Sequence, residues 1–521
     1  MESGKSGTTG GIGSWAARRA FLSGDRIAII DGDNRITYAE FDRRTDQFAR
    51  ALRELGVRQG DRVAVLMVNS AALLETMFAT AKLGAVFVPI NFRLAPPEVS
   101  YLLADSGAHV FVWSGQLFPL ARAALAREGV QVRARVVVGG ESSDGEADFE
   151  QALASGEPRA LGTNAAGSDL CCLMYTSGTT GRPKGAMLTH DNLLWNAINT
   201  VMGHRLREGD RTVTVAPMFH IGGLGVHTLP LLYVGGTSAI LPAFDPEKTL
   251  ATMARERVTV QFLVPAMWSA LMTVPGFETY DLSALELAVT AGAPCPLPVL
   301  EYFRGKGVPF QEGFGLTETA PTVSILDADH VKAKAGSIGR ALFHVETRIV
   351  DENDRDVHTG EVGELVVRGP NVFAGYWGLP EATAEAFRGG WFHTGDLGRM
   401  DAEGFITLVD RKKDMIITGG ENVYPIEVEQ VLYRHPAVRE VAVVGVPHTK
   451  WCETPIAVVA LKDGAQVTGD ELIGYARERL AHFKCPTRVE YVPELPRTAT
   501  DKVLKTTLRK EYAGQETTVQ R

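Results

Sequence analysis

Residues 37–90 alternate capped helical stretches with unbroken apolar runs, and this pattern constrains the fold more than any other feature of the chain. Thr37 and Glu40 stand at the spacing of a capping box, in which each side chain satisfies a backbone amide of the first helical turn. Ile36 and Phe41 sit where a hydrophobic staple would form. Phe41, Phe48, Leu52 and Leu55 recur at helical spacing, and Gly56 supplies a stop. Residues 63–68 then read as a buried strand, 70–83 as a second helix and 86–90 as a second strand. Such alternation predicts α/β layers on mostly parallel sheet. It resumes over 213–341. Over 341–408 it gives way to short strands such as 364–368, broken by Gly and Pro, which predicts a smaller β-rich subdomain.

A charged string, Asp410-Arg-Lys-Lys-Asp414, precedes a second compact pattern. It has a helix over 425–433, strands over 440–446 and 455–462, and a second capping box at Thr468 and Glu471. A helix to residue 482 and a strand over 488–492 complete an α+β unit. The expected organisation is a flexible tail over 1–20, a large domain over 21–411 and a small domain over 412–521. The first ten residues are small, polar and Gly-rich and lack the apolar core of a signal peptide. No uninterrupted apolar span reaches bilayer length, so no integral membrane contact is expected. A net charge of -9 disfavours nonspecific nucleic-acid binding, which leans on basic surface. Five cysteines without a CxxC pair point to reduced thiols in a cytoplasmic protein.

The densest chemistry lies in Tyr175-Thr-Ser-Gly-Thr-Thr-Gly-Arg-Pro-Lys-Gly185, directly after the apolar run 170–174. Four Ser/Thr hydroxyls and three glycines in one loop offer donors and backbone amides that can wrap phosphate oxygens, and Lys184 adds a charge. Gly181 and Lys184 are not adjacent, so this is not the G-x-x-x-x-G-K-[ST] loop.

This string resembles the phosphate loop of the adenylate-forming superfamily, which includes acyl-CoA synthetases, peptide-synthetase adenylation domains and luciferases. Further matches follow in the family's order between Ala28 and Leu508. The resemblance implies ATP, Mg²⁺ and CoA. It assigns phosphate contacts to Thr176, Ser177, Gly178, Thr179, Thr180, Gly181 and Lys184, with Thr176 also among the catalytic groups. Gly313-Phe-Gly-Leu-Thr-Glu-Thr319 resembles the loop that sets Gly313, Phe314 and Gly315 beside adenine, Thr317 near the α-phosphate and Glu318 on Mg²⁺, a hard cation that takes oxygen ligands. Ala291-Gly-Ala-Pro294 resembles the adenine-pocket segment, which implicates Gly292, Ala293 and Pro294. Asp396 matches the carboxylate that accepts both ribose hydroxyls, and Arg411 would reach the same ribose.

In Pro217-Met-Phe-His220, the resemblance puts His220 between acyl pocket and thiol channel. Amino-acid-activating relatives usually carry aspartate there, so histidine argues for an acid without an α-amino group. Pro496-Arg-Thr-Ala-Thr-Asp-Lys-Val-Leu-Lys505 resembles the loop bearing the adenylation lysine, here Lys502. A cation between carboxylate and α-phosphate offsets their repulsion in the transition state. Lys413 matches the hinge, and Gly419, Gly420 and Glu421 match the segment lining the CoA channel after the small domain rotates. Ile221, Gly222, Leu224, Val264, Ala291 and Gly315 are the candidate acyl walls, suited equally to a fatty, aromatic or alicyclic acid.

Two positions depart from the family: Asp501 and Cys452 stand where glycine is usual. Asp501 could pair with Lys502 and slow adenylation. The implied reaction is ATP-dependent acyl-CoA ligation through acyl-AMP. The alternatives are thioester formation from a supplied acyl-AMP, an acyl-AMP ligase loading a carrier protein, a luciferase-like oxygenase and a nonenzymatic nucleotide-binding module. A homodimer, a carrier protein and a partner adenylating enzyme stay open as partners.

Overall fold

The computed structural model describes residues 11–140, 142–143, 145–155, 161, 165–176, 183–292, 295, 297–411, 414–418, 421–448, 451–497 and 503–513, with backbone alone at 410, 411, 417, 421, 422 and 452. Helices begin where capping predicts. Thr37 Oγ1 accepts from the Glu40 N–H at 3.1 Å, and the helix Tyr38–Glu54 buries Phe41, Phe48 and Leu52. The reciprocal half of that box differs from expectation: the Glu40 carboxylate faces Arg43 at 3.6 Å. Thr37 is at once the helix cap and the last residue of the strand Asn34–Thr37, in register with Ile27. Ser70 caps Ala71–Lys82. The Thr468 box is complete, with Thr468 N–H to Glu471 Oε2 at 2.7 Å and Glu471 N–H to Thr468 Oγ1 at 3.3 Å. Its helix, Gly469–Arg477, stops earlier than expected, and His482–Lys484 forms a separate turn.

The expected tail is too long. Residues 11–20 belong to the folded unit: the helix Trp15–Ser23 follows a short turn, Ile12 and Trp15 are buried, and the Ile12 N–H donates to His190 Nδ1 at 3.2 Å.

The chain divides into two compact units, residues 1–347 with 367–392, and residues 348–366 with 393–521. The first unit holds three sheets. In the seven-stranded one the order is Ala147–Asp148, Ala134–Val138, Val110–Ser114, Arg62–Leu66, Val86–Pro89, Leu170–Thr176, Lys184–Thr189. All pairs are parallel except the last. The link 177–183 is too short for the helical crossover that parallel neighbours need, so these strands pair as a hairpin. A five-stranded sheet runs Val260–Phe262, Leu287–Ala291, Phe310–Gly315, Thr322–Leu326, Arg340–Ala341, parallel then antiparallel. A four-stranded sheet joins Arg211–Thr214, Thr237–Ile240, Ile27–Asp31 and Asn34–Thr37.

In the second unit, residues 348–366 and 393–411 lie in a four-stranded sheet that ends on the antiparallel pair Phe392–Met400 and Ile406–Arg411. A five-stranded sheet is built around Val438–His448 and Cys452–Leu461. Alternate residues of these strands face opposite sides. Val443, Ala457 and Val459 pack with Val428, Leu432, Leu472 and Ala476, whereas Ala442, Val444, Ile456 and Val458 pack with Leu508 and Tyr512.

Candidate active site

The hairpin geometry puts Thr176 directly opposite Lys184, with the Thr176 hydroxyl 3.4 Å from the Lys184 carbonyl oxygen. The two ends of the phosphate loop are therefore held at one sheet edge. Lys184 Nζ lies 5.1 Å from the ring centroid of Tyr376, a cation–π distance. Ser177, Gly178, Thr179, Thr180 and Gly181 lie outside the described residues.

The second motif occupies the strand Phe310–Gly315 and the turn Thr317–Thr319. Gly313 is the parallel partner of Ala291, so the adenine-pocket segment and the Phe314 segment meet at adjacent strand ends. Gly315 answers to a close approach and not to pocket volume: a Cβ there would sit 2.0 Å from the Pro321 carbonyl oxygen, which instead accepts from the Leu316 N–H at 3.1 Å. The turn is pinned from a distant segment. Asn371 Nδ2 donates to the Thr319 and Thr322 carbonyls at 2.7 and 3.1 Å, the Phe373 N–H donates to the Glu318 carbonyl at 2.8 Å, and the Tyr376 hydroxyl donates to Glu318 Oε1 at 3.0 Å. Asn192, in the first turn of His190–His204, fixes that segment through the Pro370 and Val372 carbonyls.

Asn69 brackets the segment before His220. Its Nδ2 donates to the Ala216 carbonyl at 3.0 Å and its Oδ1 accepts from the Met218 N–H at 2.8 Å, all three residues being buried. His220 then leads through Ile221–Gly223 into the π-turn Leu224–Thr228. Asn196 ties that turn to the strand that follows the second motif, donating to the Gly225 carbonyl and accepting from the Thr322 N–H. Of the expected acyl walls, Gly222, Val264, Ala291 and Gly315 keep exposed surface. Leu224 is fully enclosed and Ile221 is buried. Among the described residues, a Cβ at Gly222 would meet only the Phe262 ring, at 3.8 Å, and one at Gly292 only Val264 Cγ1, at 3.9 Å.

In the second unit Asp396 is buried, its N–H donating to Thr394 Oγ1 at 3.0 Å, and Thr394 in turn donates to the Leu365 carbonyl at 2.7 Å. The antiparallel register sets Arg411 opposite Asp396. Ala293, Pro294, Lys413, Gly419, Gly420, Asp501 and Lys502 lie outside the described residues, as do the side chains of Arg411, Glu421 and Cys452.

Burial dominates the electrostatics. It raises the Tyr376 phenol, with the Glu318 charge acting the same way, so the hydroxyl stays a donor. It also raises Glu312, on the same strand as Phe314, to about 7, against the opposing hydrogen bond from the Cys295 N–H. A carboxyl whose folded pKa is raised contributes stability present below the unfolded value and lost as pH rises through the folded one. The melting temperature should therefore fall more between pH 5 and 8 than that of Glu312→Gln. Parallel melting curves across that range would refute the assignment.

Among the described residues no group of three or more His, Cys, Asp or Glu side chains could cage a metal. The half-buried Glu318 carboxylate instead fits Mg²⁺ that keeps phosphate and water ligands. No described helix is long and apolar enough to cross a membrane.

Residues 16–377 match the profile of the AMP-binding enzymes, and residues 427–502 match the AMP-binding enzyme C-terminal domain. The chain belongs to this family. This AMP-binding enzyme is an acid–thiol ligase of the acyl-CoA synthetase branch, using ATP, Mg²⁺ and CoA. It is 45% identical over 502 residues to a feruloyl-CoA synthase of Amycolatopsis sp, covering 96% of this chain and 99% of the relative. ATP-bound MatB from Rhodopseudomonas palustris superposes with a TM-score of 0.88 at 34% identity over 96% of this chain and 99% of that one. The o-succinylbenzoate CoA synthetase MenE from Bacillus subtilis, solved with its acyl-adenylate OSB-AMP, gives 0.84 at 32% identity over 95% and 98% of the two chains. MenE has also been solved with ATP and magnesium. Carboxylate activation through acyl-AMP followed by CoA thioester formation is the reaction of this enzyme.

Asn69, Asn192, Asn196, Asn371 and Tyr376 escaped the sequence reading of this AMP-binding enzyme. Each acts on backbone or carboxylate far away in sequence, 149 residues in the case of Asn69 and Met218. Local spacing carries no signal for such contacts.

Proposed function

We propose that the acid is an aryl or arylalkyl carboxylate of hydroxycinnamate size. The single observation that carries this is Gly222, where among the described residues a Cβ would meet only the Phe262 ring within 4 Å, on the apolar wall that Val264 continues. Phe262 and Val264 belong to one apolar cluster with Val289 and Ala291. A flat apolar wall faced by a residue without a side chain suits a planar ring. The relatedness to a feruloyl-CoA synthase and to the o-succinylbenzoate ligase supports the same class.

In this reading Thr176, Lys184 and the 177–181 loop hold the phosphates, Phe314 and the 291–294 segment hold adenine, and Asp396 with Arg411 holds ribose. Glu318 faces the nucleotide's Mg²⁺, which supplies charge neutralisation across the phosphate oxygens. The carboxylate attacks the α-phosphorus with Lys502 between the two anions, and pyrophosphate leaves. The small domain then turns at Lys413, and the thiol reaches the adenylate carbonyl past His220 and the 419–421 segment. ATP and CoA as co-substrates favour a cytoplasmic setting. CoA, and not a carrier protein, is the acceptor.

Pyrophosphate release and CoA-thioester formation across ferulate, indole-3-acetate, 2-succinylbenzoate, palmitate and acetate test the acid class. Preference for the aromatic acids is expected, and preference for palmitate overturns it. Gly222→Ala should cut kcat/KM for the preferred aryl acid by roughly 10- to 200-fold, the range for one extra carbon in an apolar pocket, while acetate loses little. Equal losses for both acids would remove Gly222 from the acyl wall.

A further inference from the structure

We propose that Tyr376 is a positioning residue for magnesium–nucleotide binding: its hydroxyl aims the Glu318 carboxylate, and its ring holds Lys184 beside it. The inference rests on the reading of Glu318 as the carboxylate that faces Mg²⁺. Three parts of the chain with no sequence proximity meet here. Lys184 closes the phosphate loop, Glu318 lies in the second motif, and Tyr376 comes from the segment 373–377, which neither motif contains.

The tyrosine is held from several sides. The strand Lys184–Thr189 exchanges backbone hydrogen bonds with its segment: Met187 N–H to Gly375 O at 2.9 Å, Ala374 N–H to Met187 O at 2.9 Å and Trp377 N–H to Gly185 O at 2.8 Å. Ala186 and Tyr376 form an antiparallel bridge. The Tyr376 N–H donates to Thr383 Oγ1 at 2.9 Å, and its ring packs edge-on against Phe373 at 4.9 Å. The same segment binds the Glu318 main chain through the Phe373 N–H. Backbone and side chain of Glu318 are therefore both set by residues 373–376.

A carboxylate has room for about four hydrogen-bond or metal contacts. One phenol donor occupies a single position, freezes a flexible side chain and leaves oxygen lone pairs for a cation. Groups that orient a metal ligand in this way typically change metal affinity by about 10- to 100-fold when removed. The ring adds a second function, since a cation over an aromatic face is held without consuming its N–H donors. Lys184 thus keeps its protons for phosphate.

The test is calorimetric titration of the full-length protein with ATP, without acid or CoA, in EDTA and at rising Mg²⁺. In Tyr376→Phe the ring stays and the hydroxyl goes. The Mg²⁺ concentration giving half-maximal enhancement of ATP binding should rise about 10-fold, with ATP binding in EDTA unchanged. Tyr376→Ala should also weaken binding in EDTA, because Lys184 loses its platform. An unchanged or lowered Mg²⁺ requirement in Tyr376→Phe, with an unaltered melting temperature, overturns the proposal. Glu318→Gln separates the two levels. If it abolishes the Mg²⁺ effect while Tyr376→Phe changes nothing, the positioning role fails and the Glu318 reading stands. If Glu318→Gln keeps the wild-type Mg²⁺ response, the Glu318 reading itself fails. The double variant should respond to Mg²⁺ as Glu318→Gln does, and an additional shift overturns coupling through that carboxylate.

Discussion

Lys502→Ala is expected to lose acyl-adenylate formation by roughly 100- to 1,000-fold while still converting supplied acyl-AMP and CoA to the thioester. The magnitude follows from removing one charge-stabilising group from a transition state in which a carboxylate meets an α-phosphate. The thiol step has no such meeting of anions, because CoA attacks a neutral carbonyl and AMP leaves. Pyrophosphate exchange reads the first half-reaction, and AMP release from synthetic acyl-AMP reads the second. Equal loss in both would sink the assignment. The same pair of assays measures the departure at Asp501. Asp501→Gly should speed adenylation and leave the thiol step unmoved if the adjacent carboxylate restrains Lys502.

Asn69→Ala is expected to weaken both the fold around His220 and the passage from adenylate to thioester. The asparagine makes two hydrogen bonds to backbone groups on either side of Pro217. Proline has no N–H, so this stretch has fewer ways to satisfy itself. Losing the side chain orphans a donor at Met218 and an acceptor at Ala216, at about 1–3 kcal/mol each. Chemical denaturation reads the stability. Thiol-step kcat against acid KM reads the position of His220, and a purely structural role would leave that kcat unmoved in the folded fraction. Unchanged stability in Asn69→Ala would remove the bracket from the account.

Much of the architecture was legible because its causes are local. Ser70 and Thr468 cap helices with their own side chains, and those contacts span three residues. The apolar runs 63–68 and 86–90 are buried on both faces in a parallel sheet, which is why they show no polar alternation. Where local causes competed, the reading failed. The Thr37 box stays half-formed where its cap also ends a strand, and residues 11–20 fold because Ile12 and Trp15 find partners far along the chain. The glycines divide in the same way. Gly222 leaves space, Gly292 sits at a φ of 91° that favours glycine, and Gly315 exists because the Pro321 carbonyl passes where a Cβ would be.

The sequence by itself determined the family, the reaction class and the order of the motifs, because phosphate loops and caps are short strings whose chemistry is carried by their own residues. Tertiary structure decided which residues aim those strings. Tyr376 on Glu318, Asn69 on Met218 and Asn371 on Thr319 are contacts across tens to hundreds of positions. Such contacts arise when sheet order brings distant segments to one edge, where every buried polar group must find a partner.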